Sequence, residues 1–142
     1  MDETGSDTVD VQPSQDEPQP AGQMTHLLVV DDNAVYCRLV TVLLESFSMT
    51  CTTASSGEEA LELAQSQPFD GALLDIHMPG MDGIETATRL RTLPAWSERP
   101  ILALTADPPS ETDPRLAAAR LTGVISKPIH ADAFHQALMA AL

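Results

Sequence analysis

His26-Leu27-Leu28-Val29-Val30 runs directly into Asp31-Asp32-Asn33. An apolar run without polar alternation is the pattern of a strand buried on both faces, as in a parallel sheet. Two carboxylates at its end place charge where such a strand leaves the core. Outward from this stretch, short apolar runs alternate with helical patterns. Val35, Leu39, Val42, Leu43 and Ser46 fall at helical spacing within residues 33–46. Met49 to Thr53 reads as a second strand rich in β-branched Thr. Ser55-Ser56-Gly57-Glu58-Glu59 holds two overlapping capping boxes that open a helix through Ala60, Leu61 and Ala64. Phe69 to Leu74 is the third strand, and Asp82-x-x-Glu85 caps a helix running to about Thr92. Pro100 to Leu104 and Val124 to Ser126 are the fourth and fifth strands. Ala131 to Leu142 closes the chain as a helix with Phe134, Leu138 and Leu142 inward.

Strands that alternate with helices in this way imply a doubly wound α/β fold, because parallel neighbours need crossover helices. Its ligand site belongs at the carboxyl ends of the strands, near the switch in strand order. The first strand ends in Asp31-Asp32, the third in Asp75, the fourth in Thr105, and the fifth runs into Ser126-Lys127-Pro128.

Composition bounds the rest. A chain of 142 residues with 43% hydrophobic content holds one domain with a real core, with or without a tail. Residues 1–24 carry six acids, no base and three prolines, and almost no large apolar side chain. They read as a disordered tail or linker, with the domain at 25–142. The net charge is −14, and more than half of it belongs to the domain. Such acidity repels phosphate backbones, so neither nucleic acid nor a membrane surface is an expected partner. The sequence shows no secretory signal and no apolar run of membrane-spanning length, which predicts a cytoplasmic protein. Cys37 and Cys51 do not make a disulfide framework and read as small buried hydrophobes.

Taken singly, the strand-end residues have ordinary roles: an Asp after a strand caps a helix, a Thr closes a turn, a Lys is a solvated charge. Together they read differently. Three carboxylates at one edge repel one another unless a cation lies between them, and hard oxygen ligands suit Mg²⁺. Lys127 is the only lysine beside six arginines, so a compact ammonium is called for there.

Leu28-Val29-Val30-Asp31-Asp32-Asn33, Leu74-Asp75-Ile76-His77-Met78-Pro79-Gly80-Met81-Asp82-Gly83, Ala103-Leu104-Thr105-Ala106 and Ser126-Lys127-Pro128-Ile129 resemble the CheY-like receiver domain of two-component response regulators. They come in the family's order and approximate spacing. The Asp-Asp-Asn and His-Met-Pro-Gly-Met-Asp-Gly stretches are similar to receivers of hybrid histidine kinases. The resemblance implies a flavodoxin-like sheet of order 2-1-3-4-5 with five helices. It implies that Asp75 takes a phosphoryl group from a phosphohistidine on a histidine kinase or histidine phosphotransfer domain. Mg²⁺ would be held by Asp31, Asp32, Asp75 and the main-chain carbonyl of His77, with Asp31 acting through water. Lys127 would contact one phosphoryl oxygen, and the Thr105 hydroxyl would swing in to another. Such a chain modifies itself and turns over no free substrate. The alternative is a degenerate receiver that binds partners without phosphorylation. A phosphatase with an aspartate nucleophile is excluded because Asp75-Ile76-His77 lacks the second acid of D-x-D.

Four departures from the family pattern carry expectations. Val124 stands three places before the lysine, where receivers carry an aromatic residue. A β-branched side chain has little rotamer freedom, so output is expected through loop and backbone shifts, or the domain passes phosphoryl groups on. Pro108, Pro109 and Pro114 confine the fourth helix to a short piece from about Pro114. Ala119-Arg120 replaces the usual Ala-Gly before strand five, which predicts a differently shaped corner. Tyr36 reads either as an interface anchor or as a partly buried residue of an amphipathic helix. His77 and Asp107 fall at positions that in receivers tune phosphate lifetime, and His26, His130 and His135 read as surface or element-end residues.

Overall fold

The computed structural model describes residues 24–142; apart from Met24, the acidic segment 1–24 lies outside the described residues. Five parallel strands form one sheet: β1 (His26–Val30), β2 (Thr50–Ala54), β3 (Gly71–Leu74), β4 (Ile101–Thr105) and β5 (Gly123–Ser126). Their order is β2-β1-β3-β4-β5, as the family resemblance implies. The helices are α1 (Ala34–Ser46), α2 (Gly57–Ser66), α3 (Gly83–Leu90), α4 (Leu116–Ala119) and α5 (Ala131–Ala141), with a 3₁₀ turn at Pro94–Trp96.

The two faces of the sheet carry separate cores, because successive strand residues point to opposite sides. Leu28, Val30, Ala72, Leu74, Ile101 and Ala103 pack with Ala60, Ile84, Leu90 and Trp96 on the face that α2 and α3 cover. Leu27, Val29, Leu73, Leu102, Leu104 and Ile125 pack with Val40, Leu44, Phe134 and Leu138 from α1 and α5. Helix starts follow the capping chemistry of the sequence. Asn33 Oδ1 accepts from the Val35 and Tyr36 N–H groups, Ser56 Oγ from Glu59 N–H, and Asp82 Oδ1 from Glu85 N–H.

Several sequence expectations shift. The inward side of α1 is Val40 and Leu44, while Val35 (75%), Leu39 (40%) and Val42 (54%) face outward. α1 therefore has two apolar stripes, and periodicity alone does not say which one the sheet takes. Leu142 lies beyond the last turn of α5 and is 43% exposed, not inward. Cys37 and Cys51 are half-buried: Cys37 Sγ donates to the Asp31 carbonyl, and Cys51 Sγ lies 3.3 Å from Thr41 Oγ1. Burial is the main cause of the raised pKa of both thiols. His26 does begin a strand, but its ring is enclosed between Thr50 and Thr52 Oγ1 atoms and stacks on Phe69.

The fourth helix is the short piece the prolines predict. Its end is tied down by Arg91 of the α3 C-terminus, whose guanidinium donates to the carbonyls of Trp96, Arg99, Ala119 and Arg120. The corner before β5 keeps a left-handed turn although no glycine is present. Arg120 itself adopts φ 47° and ψ 56°.

Candidate functional site

β1 and β3 lie side by side, so their ends deliver Asp31 and Asp75 to one point on the sheet edge. The Asp75 N–H donates to the Val30 carbonyl, which fixes the two ends in register. Asp31 is 3% and Asp75 8% exposed, while Asp32 faces solvent. One carboxylate oxygen from each of Asp31, Asp32 and Asp75 lies within 4.8 Å of the others. These are the three carboxylates the sequence assigns to the site.

Lys127 completes the cluster from β5. Its ammonium donates to Asp31 Oδ2 at 2.7 Å and reaches Asp75 Oδ2 at 3.4 Å. Burial works against the charged ammonium, yet the hydrogen bond and charge of Asp31, joined by Asp75, leave the Lys127 pKa raised. Burial, followed by the charge of Asp31, pushes the Asp75 pKa up, against the lowering effect of the His77 N–H and Lys127. Independently of that direction, one ammonium faces three carboxylates, which leaves negative charge uncompensated at this point. A hard divalent cation fits such a donor set, with oxygen ligands and uncompensated charge at one point.

Thr105 lies at the end of β4 and is 1% exposed, but its hydroxyl is turned to the next loop. Thr105 Oγ1 accepts from Asp107 N–H at 3.2 Å and lies 3.3 Å from the Asp107 carbonyl oxygen. Asp107 is also the partner of His77, whose Nε2 lies 2.9 Å from its carbonyl oxygen and 3.5 Å from its carboxylate. The His77 N–H donates to Asp75 Oδ1. Gly80, at φ 74°, makes the turn after His77 that the Pro79-Gly80 pair predicts. Farther out, Arg115 donates to Asp82 at the cap of α3, tying the β4–α4 connection to the β3–α3 loop a second time. Val124 is 46% exposed on β5 and pairs in register with Ala103, whereas Thr105 pairs with Ser126.

Tyr36 is the site residue whose placement the sequence left open. Its half-buried ring lies against the Lys127 ammonium, with its centroid 4.1 Å from Nζ.

A family model for the response regulator receiver domain matches residues 27–139. The chain belongs to the receiver domain family. It is 35% identical over 113 residues to the signal transduction histidine-protein kinase BarA of Escherichia coli, which covers 80% of this chain and 12% of that protein. It is 32% identical over 126 residues to the sensor histidine kinase RcsC of Salmonella typhi, covering 89% of this chain and 13% of the kinase. The chain thus spans about an eighth of the length of these curated relatives. Among solved structures, the Vibrio cholerae chemotaxis protein CheY4 superposes with a TM-score of 0.79 at 31% identity, covering 84% of this chain and 99% of that one. The Thermotoga maritima response regulator TrrA, solved in complex with Mg²⁺-BeF, superposes with a TM-score of 0.76 at 30% identity, covering 84% and 100%. The receiver is a two-component phosphoacceptor module. Among the described residues no helix is long and apolar enough to cross a membrane.

Proposed function

We propose that Asp75 is the phosphoacceptor of a cytoplasmic phosphorelay, loaded from a phosphohistidine of a histidine kinase or histidine phosphotransfer domain. The folded unit for this role is residues 25–142. The observation that carries the reading is the arrangement of Lys127, which spans Asp31 and Asp75 while Asp32 stands within 4.8 Å of both carboxylates. Similarity to hybrid kinases supports the donor class, and the Mg²⁺-BeF complex of the Thermotoga relative supports the cation.

An Asp75 carboxylate oxygen attacks phosphorus, an O–P bond forms, and the P–N bond to the donor imidazole breaks. The imidazole leaves with the electron pair of that bond. The His77 N–H holds the other Asp75 oxygen during this step. Lys127 exchanges Asp75 Oδ2 for a phosphoryl oxygen, keeping Asp31 as its anchor. The Thr105 hydroxyl donates to a second phosphoryl oxygen only after leaving the Asp107 main chain. Asp31, Asp32 and Asp75, with the His77 carbonyl, would hold Mg²⁺, which when bound offsets the charge on the phosphoryl oxygens. The chain modifies itself and turns over no free substrate.

Intact mass after incubation with acetyl phosphate, with and without Mg²⁺, tests this. The expected result is a Mg²⁺-dependent gain of one phosphoryl group in the wild type and none in Asp75→Asn. No gain from acetyl phosphate and none from a phosphohistidine donor would overturn the reading in favour of a phosphorylation-independent binding module.

A further inference from the structure

The Lys127 ammonium has three near partners, and only two are acids. It lies 2.7 Å from Asp31, 3.4 Å from Asp75 and 4.1 Å from the centre of the Tyr36 ring. Contact with a ring face at this distance is attractive for a cation. The side chain is 11% exposed, so little water competes for it. Tyr36 reaches this place because Asn33 caps the first turn of α1 and binds the Tyr36 N–H itself. The outward stripe of Val35, Leu39 and Val42 is on a different side of the helix. Tyr36 therefore stands apart from that stripe, with its ring against Lys127.

We propose that Tyr36 is a positioning residue for phosphoryl transfer, its ring face holding the Lys127 ammonium at the mouth of the carboxylate cluster. The proposal rests on Asp75 being the acceptor. A ring suits this task for a physical reason. A lysine stem has four rotatable bonds and an ammonium that readily turns to whichever acceptor is nearest. A polar neighbour would hold it by occupying an N–H donor. A ring face attracts the charge without directional demand, so all donors stay free for Asp31, Asp75 and the incoming phosphoryl oxygen. Lys127 can then change one partner for another without leaving its place.

Because Lys127 is the only lysine in the chain, lysine labelled with ¹³C at the ε carbon gives a single ε-CH₂ resonance. In the wild type its protons are expected upfield of free lysine, shifted by the ring current of Tyr36. Tyr36→Phe keeps the ring and is expected to retain both this shift and the rate of phosphorylation by acetyl phosphate within about twofold. Tyr36→Leu keeps apolar bulk without a ring. It is expected to lose the shift and to be phosphorylated about fivefold more slowly, with its fold intact by circular dichroism. An unshifted wild-type resonance, or a Leu variant as fast as the wild type, would overturn the role of Tyr36 while leaving Asp75 as acceptor. A wild type that takes no phosphoryl group from either donor would overturn the acceptor reading, and this proposal with it.

Discussion

Asp31 and Asp75 leave strands that lie inside the molecule along nearly their whole length, whereas Lys127 leaves an edge strand of which only Ile125 is buried. On the first side, helices of 13, 10 and 8 residues flank the strands. On the second, the connection from β4 passes through prolines into a helix of four residues, held by Arg91 and by the Arg115–Asp82 contact. The acid side is built to keep charge in a fixed place, against repulsion. The lysine side adds fewer buried residues, Ala119 to one core and Ile125 to the other, and is joined to the rest by polar ties. Thr105 joins the two halves, because its hydroxyl binds Asp107, the second residue of the β4–α4 connection, which His77 also holds.

Two glycines give the most severe test of that contrast. A Cβ on Gly83 would run into the Asp75 carbonyl oxygen and lie 2.8 Å from Ile76 Cα, both backbone atoms in the rigid half. Gly83→Ala is expected to cost about 3 kcal/mol. A Cβ on Gly123 of β5 would meet only Leu102 Cδ2, at 3.2 Å, the far end of a flexible side chain. Gly123→Ala is expected to change stability by less than about 1 kcal/mol. Urea denaturation of both variants decides it, and equal losses would erase the distinction between the halves.

The second test concerns charge within the rigid half. Burial and the Asp31 charge raise the Asp75 pKa, so the folded protein keeps a proton there to higher pH than the unfolded chain. Ionised Asp75 is then a penalty on folding, present in full above its folded pKa and relieved as pH falls through it. Asp75→Asn removes the charge. In the absence of divalent cations it is expected to raise the melting temperature at pH 7. The gain should shrink as pH falls toward the ordinary Asp value of about 3.9 and narrow when Mg²⁺ is added, since a ligand of the folded wild type stabilises it. Thermal unfolding at both pH values, with chelator and with Mg²⁺, reads all three. A variant less stable than the wild type at pH 7 would mean that Lys127 outweighs the repulsion.

The rigid half was legible in the sequence and the loose half much less so. Strand β1 announces itself as five residues without alternation, and its carboxylates follow directly, so fold and site were readable from one stretch. Thr105 and Lys127 were readable by position, but the partner of the Thr105 hydroxyl was not, since a contact to Asp107 N–H depends on how the following turn closes. The Arg91 ties and the Arg115–Asp82 pair join residues that no periodicity relates. On α1 the difficulty was different. Val35-Leu39-Val42 and Val40-Leu44 both satisfy helical spacing, and only the packing of α5 on the same face decides between them.

Arg120 offers the smallest test and the most direct one of how the loose half is shaped. Lacking glycine, the corner before β5 was expected to differ. Instead Arg120 adopts the left-handed conformation, its N–H donating to the Leu116 carbonyl as a helix-ending turn requires. An L-residue there carries roughly 1 kcal/mol of strain. Part of it is offset by the Arg120 guanidinium, which donates to the Ser97 carbonyl at 3.0 Å. Glycine would relieve the strain, give up that exposed hydrogen bond and add freedom to the unfolded chain. These terms nearly cancel, and the relief is the largest, so Arg120→Gly is expected to gain about 0.5 kcal/mol in urea denaturation. A loss of 1 kcal/mol or more, on the scale of a charged hydrogen bond, would show that the Arg120 side chain, rather than the turn, holds the corner. The short fourth helix would then depend on two arginines, Arg91 and Arg120, clamped over the same loop.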